Sequence, residues 1–256
     1  MINKIKQMVE KGTQAIGTFF HLGGTTAVDC IGIAGLDFFV VDTEHGPFDA
    51  ESALAAILAA ERRGITPFVR IKDTTRSSVL KMLDIGAKGL VVPCVNSKEE
   101  VERLVEYAKY YPTGRRGFAL TLAGSFGYAD FARDTQTYFE TSNSQTLLLP
   151  QCETRGCLDH IEEIAPLEGV DGIFIGPYDL SVALGKPAQM DNPELIDAIR
   201  HVLNVCKANG KISMIFAGAA DAAKAHLDQG FDCVACGLDA IFLIEAYKSL
   251  IARLKG

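Results

Sequence analysis

Asp37 to Asp49 reads DFFVVDTEHGPFD, and the fold turns on how this stretch is read. It opens with the apolar run Phe38 to Val41, a short β-rich segment of the kind that makes a strand buried on both faces. The chain then switches to Asp42, Thr43, Glu44, His45 and Gly46, placing two carboxylates and an imidazole within four positions. A strand that runs out into titratable groups marks a catalytic edge, because an imidazole near carboxylates can be tuned toward working pH as a general base. The plainer reading of Glu44 and His45 is a solvated loop, so the flanking chain has to decide.

Working outward, the same alternation repeats. Upstream, Ala15 to Phe20 reads as a strand and Thr25 to Ala34 as the helix leading into Phe38. Downstream, Ala50 to Arg63 is helical, with Asp49 as N-cap and Gly64 as its stop. Pro67 to Ile71 is a strand, Ser77 to Leu83 a helix and Gly89 to Val92 a strand, and Ser97 caps a helix reaching about Tyr110. The alternation lapses over 112–146, a Gly- and Arg-bearing loop and a polar stretch with room for one or two helices. Insertions of this length serve as lids or subunit contacts. Strands resume at Leu147 to Cys152, Gly172 to Ile175, Lys211 to Phe216 and Cys233 to Cys236, with helices at Asn192 to Ala208, Ala219 to Gln229 and Asp239 to Leu254. Eight strands, each followed by a helix or a helix-bearing segment, predict one (β/α)8 TIM barrel over residues 1–256. An open doubly wound sheet is the alternative, and no glycine-rich dinucleotide fingerprint follows the first strand to support it.

A chain of 256 residues, 48% hydrophobic, is long enough to bury such a core as a single domain. A net charge of -7 argues against nucleic acid and for a small-molecule ligand. No apolar run approaches the roughly 20 residues of a membrane helix, and MINKIKQMVEKG reads as an amphipathic helix, so a cytoplasmic protein without membrane contact is expected. The seven cysteines are scattered through apolar segments as small hydrophobes. Cys233 and Cys236 have metal or redox spacing but no second pair to complete a tetrahedral site.

In a barrel, residues just past the strand ends share one face. That face collects Asp42, Glu44 and His45, then Arg70, Glu153 and Asp179, from separate strands. Glu153 in QCET and Asp179 in GPYDLS are carboxylates on neighbouring strand ends, oxygen donors suited to Mg²⁺, Mn²⁺ or Co²⁺. Alone, Asp179 would read as a helix N-cap. Its pairing with Glu153 favours the metal. Arg70 follows buried apolar residues in FVRIK, where a guanidinium needs an anion, either a substrate carboxylate or enolate oxygen or a structural partner in Asp42 or Glu44. Lys72 and Lys211, the lysines near strands, lie at strand edges, which argues against an imine mechanism and for a metal as the electron sink.

GLDFFVVDTEHGPFD, FVRI, LDIGAKGLVVPCV, YPTGRRG, QCET, GVDGIFIGPYDLSVALG and the C-terminal GLD together resemble the HpcH/HpaI aldolases, the class II pyruvate aldolases, over almost the whole chain. The resemblance implies a divalent-metal-dependent enzyme that reversibly cleaves a 4-hydroxy-2-keto acid to pyruvate and an aldehyde through a metal-stabilised pyruvate enolate. It implies Glu153 and Asp179 as metal ligands, His45 as the base, and Arg70 as stabiliser of the enolate. Gln151 would contact the keto acid, and Asp84 would raise the basicity of His45. Asp42 and Glu44 would hold His45 and metal-bound water in place. Asp84 precedes the fourth strand, on the far face of a single barrel, so a neighbouring subunit or an unexpected fold detail would have to bring it close. Tyr178 stands where the family has a small residue, so a substrate contact there is expected from backbone N–H. The segment FALTLAGSFGYADF lacks an arginine often found in it, and His21 is an added polar group at the mouth, either touching the aldehyde or bonding its own loop. A homo-oligomer is implied, a hexamer of trimers or dimers, with Ile241, Phe242, Ile244, Tyr247 and Leu250 packing on another subunit or on their own barrel. Oxaloacetate decarboxylation or related 2-keto-acid lyase chemistry is the alternative at the same site. A non-catalytic metabolite-binding barrel is the alternative from another class.

Overall fold

In a computed structural model that describes residues 2–256, eight parallel strands close into a barrel in sequence order, β1-β2-β3-β4-β5-β6-β7-β8. Helix α1 (Lys4–Glu10) precedes β1 (Ala15–Phe20), and α2 (Thr25–Ile33), β2 (Phe38–Asp42), α3 (Ala50–Arg63), β3 (Thr66–Arg70), α4 (Arg76–Asp84), β4 (Gly89–Val92) and α5 (Lys98–Ala108) follow. The stretch 112–146 holds two short 3-10 turns and α6 (Thr135–Gln145). Then come β5 (Leu147–Cys152), α7 (Arg155–Asp159), α8 (Ile161–Ile164), β6 (Gly172–Ile175), α9 (Pro177–Ala183) and α10 (Pro193–Ala208). The chain ends with β7 (Ile212–Ala217), α11 (Ala220–Gln229), β8 (Cys233–Leu238) and α12 (Asp239–Lys255). Strand seven starts and ends one residue later than the sequence suggests, and strand eight runs on to Leu238 because its pairing with β1 extends that far.

Strand periodicity sorts the core into two layers. Phe19, Phe38, Val40, Phe68, Val91, Leu147, Leu149, Phe174 and Met214 fill the barrel interior. Their neighbours Phe20, Phe39, Val41, Val69, Leu90, Val92, Leu148, Ile173 and Ile215 face the helices. A Cβ at Gly17 would lie 2.4 Å from the Phe38 ring, so the inward phenylalanine occupies space that only glycine leaves free. Ile5 of α1 joins the interior cluster and closes the end of the barrel away from the strand C-termini. Asp49 accepts from the Ser52 N–H at 2.9 Å and Gly64 ends α3 at φ 69°, the start and stop read from sequence.

Cys233 lies in the interior cluster while Cys236 packs on the outer one, so a three-residue spacing on a strand points the two thiols to opposite faces. They form no joint site. Among the described residues no helix is long and apolar enough to cross a membrane.

Helix α12 does not cover its own barrel. Every residue from Ile241 onward is exposed, including Phe242, Ile244, Tyr247, Leu250 and Ile251 at 47–60%. Ile16, which points outward from β1, is 40% exposed although its outward neighbours Thr18 and Phe20 are buried. An apolar helix and an apolar strand residue are both left open beside the β1/β8 seam.

Candidate active site

The parallel barrel sends every strand end to one mouth, where a cavity of about 210 Å³ is lined by Phe19, His21, His45, Arg70, Gln151, Phe174, Gly176, Pro177, Tyr178, Asp179, Phe216 and Leu238. Five of the side chains chosen from sequence, His45, Arg70, Gln151, Tyr178 and Asp179, line it directly. Glu153 is buried beside it, sharing a hydrogen bond with Gln151.

Strand pairing explains the most densely hydrogen-bonded part. Asp42 and Arg70 are opposite each other in the β2–β3 register, and Asp42 is fully buried. Arg70 donates from Nε to Asp42 Oδ1 at 2.9 Å and from Nη2 to Oδ2 at 2.6 Å, with Nε also 3.2 Å from Glu44 Oε2. The guanidinium sits over the Phe19 ring, 4.8 Å from its centroid. Burial pushes the Asp42 carboxyl up, but the hydrogen bonds and charge of Arg70 outweigh it and hold the group below its ordinary value. Burial likewise pulls Arg70 down, and Asp42 more than restores it. Both partners sequence allowed for Arg70 are therefore present. The guanidinium is braced by Asp42 and still reaches the cavity.

Asp42 also accepts from the Glu44 and His45 backbone N–H groups at 3.1 and 3.3 Å, so it shapes the turn that presents His45. Its direct side-chain partners are Arg70 and His21, whose Nε2 is 2.8 Å from Oδ2. The His45 side chain is 65% exposed at the rim, with Nε2 3.9 Å from Glu44 Oε2. Burial raises the Glu44 carboxyl, against the lowering charges of Arg70 and His45.

Glu153 follows β5 and is 5% exposed. Cys94, just past β4, turns its N–H onto Oε1 at 2.7 Å from a left-handed backbone conformation at φ 57°. Burial, only partly offset by that bond, and the neighbouring charges of Asp179 and Glu44 push the Glu153 carboxyl up to about 7. Gln151 Oε1 is buried without a partner. A Cβ at Gly176 would sit 2.7 Å from the Gln151 amide and 2.9 Å from Glu153 Oε2, so glycine keeps the space beside these oxygens clear. Asp179 is exposed within the first turn of α9, whose N-cap is Gly176, so it does not cap the helix and its carboxylate is free. The raised Glu153 carboxyl, the exposed Asp179 carboxylate, an orphaned amide oxygen and a cleared space fit a hard divalent cation. Among the described residues no group of three or more His, Cys, Asp and Glu is placed to hold a metal ion.

Asp84 lies elsewhere. It ends α4, which runs back toward the opposite end of the barrel, and accepts from Arg116 Nη2 at 2.7 Å. Within one chain it does not join His45. Neither Lys72 nor Lys211 lines the cavity. Lys211 bonds the Leu167 and Val170 carbonyls at 3.1 and 2.6 Å, and Lys109, a buried lysine the strand pattern did not single out, pairs with Asp171 just before β6 at 2.7 Å. Sequence reasoning missed the Cys94 N–H, the Gly176 clearance and Asp239, whose carboxylate holds the His21 and Leu22 N–H groups. Of these only Asp239 had a signal, as the last residue of the GLD motif.

Comparison with known proteins places the fold. Residues 15–246 match the family model for HpcH/HpaI aldolase/citrate lyase. The 5-keto-4-deoxy-D-glucarate aldolase of Escherichia coli O6:H1 is 34% identical over 254 residues, 99% of this chain and 97% of that protein. The crystal structure of an HpcH/HpaI aldolase from Desulfitobacterium hafniense DCB-2 superposes with a TM-score of 0.90 at 27% identity, covering 98% of this chain and 96% of that one. An HpcH/HpaI aldolase/citrate lyase family protein from Burkholderia cenocepacia J2315 gives 0.91 at 27% identity over 99% and 100% of the two chains.

Proposed function

Because the chain belongs to the HpcH/HpaI aldolase/citrate lyase family, we propose that this mouth cleaves a 4-hydroxy-2-keto acid to pyruvate and an aldehyde, and joins them in reverse. The enzyme is an aldolase, a carbon–carbon lyase acting on small keto acids. Glu153 and Asp179 would hold the divalent metal, Mg²⁺, Mn²⁺ or Co²⁺, which when bound supplies Lewis-acid polarisation of the keto oxygen. The observation that carries the reading is Glu153, a buried carboxyl raised to about 7 among other carboxylates with no cation of the protein bonded to it.

The chain's own residues divide the remaining work. Arg70, fixed in orientation by Asp42, offers its free edge to the carboxylate of the keto acid and to the enolate oxygen as charge builds there. Gln151 turns its amide toward the keto acid from β5, and backbone N–H groups at the start of α9, next to Tyr178, add donors. His45, at the rim, takes the proton of the C4 hydroxyl as the C3–C4 bond breaks and its electron pair moves into the pyruvate enolate. Protonation at C3 then completes pyruvate. Phe19, Phe174 and Phe216 keep water from the enolate face.

A homo-oligomer is part of the proposal. The uncovered apolar face of α12 and the open β1/β8 seam are complementary, so a second copy's α12 is the fitting cover. A contact between copies is what Asp84 of one chain would need to approach the His45 of another. Free thiols at all seven cysteines, two of them exposed, suit a reducing compartment such as the cytoplasm.

The test is proton–deuterium exchange of the pyruvate methyl group in D₂O, followed by NMR, with Mn²⁺ or Mg²⁺ and with EDTA. Exchange should require metal, vanish in Glu153→Ala and weaken in His45→Ala. Wild-type protein that shows no exchange with either metal would leave a binding barrel in place of the aldolase.

A further inference from the structure

We propose that His21 selects the aldehyde half of the substrate by accepting a hydrogen bond from a hydroxyl on the carbon next to the aldehyde group. The inference rests on the aldolase reading above and concerns the side of the cavity that reading leaves unassigned. In a closed ring of eight strands β1 stands across from β5. The wall carrying His21 therefore faces the wall carrying Gln151 and Glu153. Arg70, Gln151, Glu153 and Asp179 are engaged by the keto acid and the phenylalanines by the enolate face, which leaves Leu238, Tyr178 and His21 to meet the departing aldehyde. Besides the Tyr178 phenol, the imidazole is the polar group of that wall.

His21 is held at three points. Its N–H donates to Asp239 Oδ1 at 2.8 Å, the next N–H, of Leu22, donates to Asp239 Oδ2 at 3.1 Å, and ring Nε2 lies 2.8 Å from Asp42 Oδ2. An ionised carboxylate only accepts, so Nε2 carries a proton in this bond, and in the neutral ring Nδ1 is left as an acceptor. Among the described residues no protein group bonds Nδ1. Asp42 is itself locked by Arg70, so the imidazole cannot swing away without giving up a charge-assisted bond. A fixed acceptor in an apolar wall favours a donor. That is a hydroxyl, in preference to a methylene or to a carboxylate, which brings no proton. The ligand class is thus the α-hydroxyaldehydes.

His21 also touches Asp42, so its loss disturbs Arg70 and slows every reaction of the site. The readout must therefore be a ratio. Glycolaldehyde and propanal differ by a hydroxyl in place of a methyl group. With the Mn²⁺-loaded full-length enzyme, kcat/KM for aldol addition of pyruvate should favour glycolaldehyde, and His21→Leu should cut that preference by about tenfold, the worth of one partly exposed hydrogen bond. His21→Gln, which can donate to Asp42 and accept from a hydroxyl, should keep part of it. Pyruvate methyl exchange, which needs no aldehyde, is measured alongside. A glycolaldehyde preference equal in wild type, His21→Leu and His21→Gln overturns the selection role, as does a wild type with no preference. If the two aldehydes fall together and in step with exchange, His21 is only a prop for Asp42. An exchange-inactive wild type would instead remove the aldolase reading itself, and these failures are told apart by the exchange assay.

Discussion

Replacing Glu153 by Gln should stabilise the metal-free protein at alkaline pH while abolishing its response to metal. The buried carboxyl rises from an ordinary 4.5 to about 7, through burial first and the charges of Asp179 and Glu44 next. The folded state thus holds this proton more tightly than the unfolded chain does, and stability is lost as pH climbs from about 4.5 through 7. At about 1.4 kcal/mol per tenfold change in proton affinity, the full cost of ionising Glu153 is about 3 kcal/mol above pH 8. An amide carries no such cost. Its oxygen can still accept from the Cys94 N–H, and its NH₂ can donate to Gln151 Oε1, the atom now without a partner, once Gln151 turns its amide over. Urea unfolding of EDTA-treated protein at pH 5 and pH 8.5 measures the difference. Glu153→Gln should gain about 2–3 kcal/mol on wild type between the two values, and saturating Mn²⁺ should stabilise wild type alone. A gap independent of pH, or a variant that Mn²⁺ still protects, would refute both the buried-charge argument and the ligand assignment.

Arg70→Lys keeps a cation beside Asp42 but loses the two parallel bonds, so pyruvate exchange should fall by about a hundredfold with the fold intact; unchanged exchange would reduce Arg70 to a brace. Gly176→Ala puts a Cβ 2.7 Å from the Gln151 amide and 2.9 Å from Glu153 Oε2, and calorimetric Mn²⁺ affinity should drop by at least about tenfold. Full affinity in that variant would mean that metal binds away from Glu153. Ile244→Asp, in the exposed face of α12, should shift the mass seen by light scattering toward monomer; a wild type that is already monomeric would remove the subunit contact and, with it, any route for Asp84 to His45.

The barrel was legible because a parallel strand covered on both faces needs an unbroken apolar run, and runs such as Phe38 to Val41 have no other stable setting in a chain this size. The strand-end groups His45, Arg70, Gln151, Glu153 and Asp179 were legible for a related reason, since parallel strands deliver all their C-terminal ends to one mouth. What a sequence does not carry is which buried group bonds which. Asp42 reads both as a support for His45 and as one possible partner of Arg70, and it is the strand register, setting Asp42 opposite a residue 28 positions on, that decides for Arg70. The Cys94 N–H on Glu153 was hidden because its left-handed backbone occurs without a glycine to announce it. Helix α12 shows the limit most clearly. Its apolar residues state that the helix must be covered, and periodicity states nothing about which copy of the chain does it. An exposed helix beside an exposed Ile16 is what supports the proposal of a second copy, because leaving either surface in water costs free energy that a helix packed on its own barrel would not have to recover.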